Sequence, residues 1–234
     1  MDRMRYKKLT AVFTAAAIII SLILLVFYAY KKKTGYALLS ALVVTLFILP
    51  FFMSLEMRKP KARDIVPIAV MAALGTVGRM LFVWAPNFKP TTAIIIISGM
   101  AFGPQAGFLT GAVSALASNF FFGQGPWTPW QMLAWGLCGL LAGLLKNIGV
   151  IRGTKTLMVY GFLASFLFGL IMNCYFIFGF VSPITWGAVI TALAASFGMD
   201  LTHALSTVVF LFLLGSIWLK KLERIKVKFG VLQT

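Results

Sequence analysis

Three ionisable residues interrupt sequence that is otherwise continuously apolar: Arg79, Asp200 and His203. A charge at membrane depth is costly, so such residues face a cavity, one another or a bound solute. Asp200 and His203 stand one helical turn apart on roughly the same face. Arg79 lies about 22 Å along a helix from Asp64, and Asp200 about 30 Å from Lys220, at a rise of 1.5 Å per residue. Both then fall towards the same end of the apolar spans and can meet. Their meeting would be either an ion pair that fixes helix packing or a polar contact to a solute. His203 reads as a hydrogen-bonded packing residue or as a ligand contact. With Asp200 it would serve an autonomous proton-coupled carrier. Asn119 and Asn173 are amides in apolar surroundings, each expected to bond a neighbouring helix.

The most distinctive segment is NFFFGQGPWTPWQM, from Asn119 to Met132. Gly123, Gly125, Pro126 and Pro129 specify a tight turn with little entropy to lose. Trp127 and Trp130 are held on that turn beside the amides of Gln124 and Gln131. An interfacial aromatic belt accounts for the tryptophans. The amides and paired prolines suit a rigid platform that captures a large amphipathic solute. WAPNFKP, from Trp84 to Pro90, has the same character and contributes Phe88. Enzyme chemistry has little to draw on. The chain holds one histidine and five acids, with no phosphate-binding G-x-x-x-x-G-K-[ST] loop, H-E-x-x-H, C-x-x-C or G-x-S-x-G. Cys138 and Cys174 are widely separated in apolar stretches and read as buried thiols.

The elements that position these residues follow from composition. Of 234 residues, 61% are hydrophobic and 11% charged, and mean hydropathy is +0.96. Soluble domains run about 45–50% apolar and about 25% charged. The apolar runs are continuous rather than alternating, which specifies helices and not barrel strands. The fold class is an all-α integral membrane protein. Spans are expected at Leu9 to Tyr30 and Tyr36 to Met53, then, after a polar linker, at Ile65 to Trp84, Thr91 to Phe102, Ala106 to Phe122, Trp130 to Leu145, Thr156 to Phe180 and Trp186 to Leu219. The Thr91 segment is short and broken from the next by Gly103-Pro104, as expected of a helix packed inside protein or lining a cavity. The last is too long for one straight crossing.

The net charge of +16 sits at span ends, not along one nucleic-acid-binding stripe. With the N-terminus inside, inner segments carry 16 Lys and Arg and outer ones 4. The positive-inside rule then places both termini in the cytoplasm of a multi-pass plasma-membrane protein, the Lys31-Lys32-Lys33 turn alone dissenting. Met1 to Lys8 and the first span read as a retained anchor. The chain divides into an N-terminal helix pair (1–54), a cytoplasmic linker (55–64), a six-helix solute-binding core (65–220) and a basic cytoplasmic tail (221–234). Ala69 and Ala73 form A-x-x-x-A, Gly107, Gly111 and Ala115 a second small-residue ridge, and Gly136, Gly139 and Gly143 a third. Spacing of this kind lets helix backbones approach closely.

AVMAALG (Ala69 to Gly75), SGMAFGPQAGFLTGAVSALASNFF (Ser98 to Phe121) and GPWTPWQMLAWGLCGLLAGLL (Gly125 to Leu145) resemble the substrate-binding S component of energy-coupling factor (ECF) vitamin importers. The likeness runs from about Lys61 to Gly230. It implies a six-helix core, here preceded by two additional helices, that captures a vitamin near its outer face. It also implies a transmembrane coupling subunit docked on Ala69 and Ala73, and two cytoplasmic ATPase subunits that alone use ATP. The GPWTPWQM block looks most like cobalamin-specific members, which makes cobalamin the expected transported ligand, with another vitamin or precursor as the alternative. No permanently bound cofactor or metal is expected. The resemblance maps the substrate site onto Phe88, Trp127, Trp130, Gln131, Asn173, Asp200 and His203, and Arg79 joins these substrate-binding candidates as a charge at membrane depth.

Overall fold

The computed structural model describes residues 16, 42, 44–46, 48–53 and 60–231. Apart from Ala16, the first expected span lies outside the described residues, as does most of the polar linker. Six helices follow in order: α1 (Ala62–Leu81), α2 (Thr91–Phe102), α3 (Pro104–Phe122), α4 (Trp127–Asn147), α5 (Thr154–Phe180) and α6 (Trp186–Phe229). The first five match their expected segments to within three residues, and α6 runs ten residues past its expected end at Leu219. Helix α1 starts earlier than expected, inside the segment read as linker, because the Asp64 carboxylate accepts the Lys61 backbone N–H at 3.1 Å and caps its first turn. Helices α1, α4, α5 and α6 are long and apolar enough to cross a membrane. Helix α3 is nearly as long, but its buried Gly, Ser, Thr and Asn residues lower its hydropathy.

Helix α2 is the axis of the bundle. All twelve of its residues are buried, and it touches every other core helix. Twelve residues rise only about 18 Å, too little to cross the roughly 30 Å hydrocarbon layer. Protein, not lipid, surrounds it, as its length and the Gly103-Pro104 break had indicated. Gly103 makes the turn at φ +100°, a backbone conformation open to glycine, and Pro104 opens α3 where its missing N–H costs nothing. The carbonyls left free at the end of α2 are met by lysines. Lys146 donates to Met100 O at 2.9 Å and Lys226 to Ala101 O at 3.2 Å. A cation there also suits the helix dipole. Lys146 further pairs with Glu223.

Backbone contact fixes α2, α3 and α4. A Cβ on Gly139 would stand 2.2 Å from Gly107 O, and one on Gly99 would stand 2.1 Å from Gly139 O. Gly111 similarly abuts the Trp135 carbonyl, and Gly143 the Pro104 backbone. The two glycine ridges of the sequence are therefore the two sides of one internal seam. Ala69 and Ala73 differ: both are exposed on α1, which packs mainly against α2 and α3.

The helical stretch within Val44–Met53 lies against the α3/α4 face. Val44 and Ile48 pack with Phe108 and Ala112, and the Phe51 ring stacks on Phe108 with centroids 3.7 Å apart. Helix α6 has 44 residues, about 66 Å. It continues unbroken through 221–229, the segment read as a basic tail, and Val231 beyond it is buried against the main core.

Candidate functional site

The alternating helices place the ends of α1, α3 and α5 beside the starts of α2, α4 and α6. At that end of the bundle a cavity of about 100 Å³ opens above the start of α2. Arg79, Asn87, Lys89, Thr91, Thr92, Gln131, Trp135, Phe168 and His203 line it. The connection from α1 to α2 forms its rim. Asn87 turns that rim at φ +56°, a conformation asparagine tolerates better than most residues. Ser206 on α6 holds the rim down by donating to Lys89 O at 3.0 Å.

Arg79 extends from the last turn of α1 to α3. Its Nη1 donates to Ser118 Oγ at 2.6 Å and to Asn119 Oδ1 at 2.7 Å. Its guanidinium also lies over Phe122, 4.6 Å from the ring centroid, and over Trp135 at 5.1 Å, so that aromatic faces partly offset its desolvation. Asn119 is fully buried and held from the other side. Its Nδ2 donates to Thr128 Oγ1 and to Gln131 Oε1, both at 2.9 Å. Thr128 donates in turn to Gln124 Oε1 at 2.9 Å, and Gln124 Nε2 donates to Leu116 O at 3.0 Å. The rigid block read from sequence as a capture platform thus ends on Arg79. Its amides build a brace for the guanidinium.

His203 enters from α6. Its Nε2 is 2.7 Å from Thr92 Oγ1, which also accepts the Trp135 indole N–H at 2.9 Å. Phe168 meets the imidazole edge-on, centroids 5.1 Å apart. Thr92 thereby sets the orientation of both an aromatic wall and the histidine. Lys89 lies 5.1 Å from the Phe122 centroid. Burial and the nearby Arg79 charge hold the Lys89 ammonium below its usual range. Among the described residues the one ion pair is Lys146–Glu223, at the other end of the bundle. Arg79 and Lys89 therefore line the cavity without a carboxylate partner among those residues.

The eight expected substrate contacts separate. Arg79, Gln131 and His203 line the cavity. Phe88 is spent on Phe210, centroids 5.6 Å apart. The Trp127 ring covers Gly125, and Trp130 packs against Tyr175, centroids 6.3 Å apart. Asn173 and Asp200 belong to another place, a groove of about 450 Å³ walled by apolar side chains of α5 and α6. There Ser196 donates to Asp200 Oδ2 at 2.9 Å and accepts from Asn173 Nδ2 at 2.8 Å. The expected meeting of Arg79 with Asp200 is overturned, because Asp200 nests against Gly169 on α5. No hydrogen bond joins Asp200 to His203 among the described residues either. Asn119 and Asn173 do bond neighbouring helices, as expected. Cys138 is buried, whereas Cys174 is only partly so.

Sequence reading missed Lys89, Thr92, Trp135 and Phe168. Thr91-Thr92 opening an isoleucine run was a usable signal, since two hydroxyls entering a fully apolar helix need partners. Phe168 carried no signal, being one of six phenylalanines on α5.

The sequence model of the ECF-type riboflavin transporter S component matches residues 59–223. The chain belongs to this family. Its transport character agrees with the absence of enzyme motifs. The chain is also similar to UPF0397 proteins of two bacteria. One from Vibrio atlanticus is 34% identical over 88 residues, covering 36% of this chain and 48% of that protein. One from Aliivibrio fischeri is 33% identical over 92 residues, covering 37% and 50%. The chain thus spans about half the length of the curated relatives it matches. No solved structure matches it.

Proposed function

We propose that the chain is the substrate-binding subunit of an ECF-type importer, taking a vitamin-like solute into the cavity between Arg79 and His203. The family match carries this reading. It is supported by a polar cavity placed at one end of the bundle, sealed below by α2 and covered by a rim that one serine secures. The loop end faces outward and the lysine-rich end faces the cytoplasm, by the positive-inside rule. Ala69 and Ala73 are exposed small residues on α1, which suits close docking of a transmembrane coupling subunit. Two ATPase subunits would supply energy to that partner.

Two solutes have a claim. Cobalamin rested on the GPWTPWQM block, whose amides are now accounted for by the Asn119 brace. Riboflavin is named by the matching family and is the better supported. Ligand pockets usually measure about 300–1,000 Å³, so either solute would require the rim to open. Calorimetric titration of the purified chain with riboflavin and with cobalamin, without ATP, tests the reading. Heat with either one supports solute capture and names the solute. Heat with neither, and uptake that persists without any ATPase partner, would reject it. Ala73→Trp should abolish co-purification with the coupling subunit while leaving solute affinity within about twofold, a change under 0.5 kcal/mol.

A further inference from the structure

The proposed capture site is electrically incomplete. Arg79 uses Nη1 on two neutral acceptors, and its Nε and Nη2 donors have no hydrogen-bond partner among the described residues. A partly buried cation with unmet donors, in surroundings that lower the dielectric, is costly until an anion arrives. Lys89 adds a second positive charge at the same cavity, raised in free energy by burial and by Arg79 itself. The brace through Asn119 is neutral throughout, so it orients the guanidinium without cancelling its charge. A protein that needed Arg79 only for packing could have paired it with a carboxylate, as it pairs Lys146 with Glu223.

The remaining walls narrow the chemistry. Trp135 and Phe168 present aromatic surface, their centroids 4.7 Å apart, and Thr92 fixes the indole. The Nε–Nη2 edge of an arginine matches a carboxylate with two parallel hydrogen bonds. We infer that the cavity selects a solute carrying a carboxylate, held at Arg79 and Lys89. This rests on the capture reading above and, among solutes of that kind, favours an anion over a neutral ring such as riboflavin.

Nicotinate and nicotinamide form a test pair, being nearly identical in shape and different in charge. In calorimetry on the full chain in nanodiscs, nicotinate should bind at least about tenfold tighter, the value of one charge-assisted hydrogen bond. Lys89→Gln, outside the helices, should reduce the preference severalfold without altering thermal unfolding. Asn119→Asp should remove it by giving Arg79 an internal counter-ion at the position of its present acceptor. Equal affinity for the two rings, tighter binding of the amide, or binding of neither would overturn the inference. So would an unchanged preference in folded Asn119→Asp protein. Riboflavin binding in the same preparation would meanwhile leave the capture function standing.

Discussion

The α3/α4 seam and the α5/α6 seam both contain glycines, but the glycines face different things. Across α3/α4, Cβ atoms on Gly107, Gly111 and Gly139 would strike backbone carbonyls. Across α5/α6, Gly161 faces the Leu211 side chain, Gly169 the Asp200 carboxylate and Gly215 the Leu157 side chain. Backbone cannot yield locally, whereas a side chain can change rotamer. The first seam is thus a fixed scaffold and the second an adjustable one. Arg79 is braced by Ser118 and Asn119 of α3 and, through them, by α4. His203 and Asp200 ride on the adjustable α6. A site with one fixed wall and one yielding wall can hold a charge in place and still admit a solute.

Breaking the fixed wall should have the largest effect. Gly139→Ala forces α3 and α4 apart, and overpacking of this kind costs typically 1–3 kcal/mol, here towards about 3. Thermal unfolding in detergent should show a marked drop, with solute affinity lost alongside it. Asn119→Leu comes next. It removes the acceptor for Arg79 and the donor for Thr128 and Gln131, leaving buried groups unsatisfied at about 1–3 kcal/mol. Solute affinity should fall more than unfolding temperature does, because the guanidinium is released. Gly161→Ala on the yielding seam should cost about 1 kcal/mol, since a Leu211 methyl can move aside. Equal losses for Gly139→Ala and Gly161→Ala would erase the distinction between the seams. Asn173→Leu should be mildest on binding, leaving cavity affinity within about twofold, or under 0.5 kcal/mol. A tenfold loss there would return the Asn173–Asp200 groove to the solute site.

The six core helices were legible in the sequence because lipid demands long apolar runs, and proline and glycine break them at defined places. Helix α2 was legible too, its twelve-residue length being incompatible with a lipid-facing crossing. The site was legible only in part. Arg79, Gln131 and His203 were found because polar groups are conspicuous in apolar sequence. Phe88, Trp127 and Trp130 were drawn in by their aromatic character, yet each packs on a neighbouring ring or backbone. Helical spacing put Asp200 and His203 on one face. Three residues still differ by about 60° around a helix at 100° per residue. That angle carries His203 into the bundle and Asp200 into the groove between α5 and α6.

Sequence by itself determined that this chain lives in a membrane as helices, roughly where the core helices lie, and which few residues there are polar enough to matter. Tertiary structure alone decided which polar residues share a cavity and which glycines oppose one another. It also turned the amides of the GPWTPWQM block towards Asn119 and Arg79. The reason is physical. Helix formation in lipid depends on local hydrophobicity and on hydrogen bonds within a few residues, both written along the chain. The rotation of each helix about its axis depends on packing against neighbours more than a hundred residues away, as the Thr92–His203 and Lys89–Ser206 bonds illustrate. No local pattern records that angle.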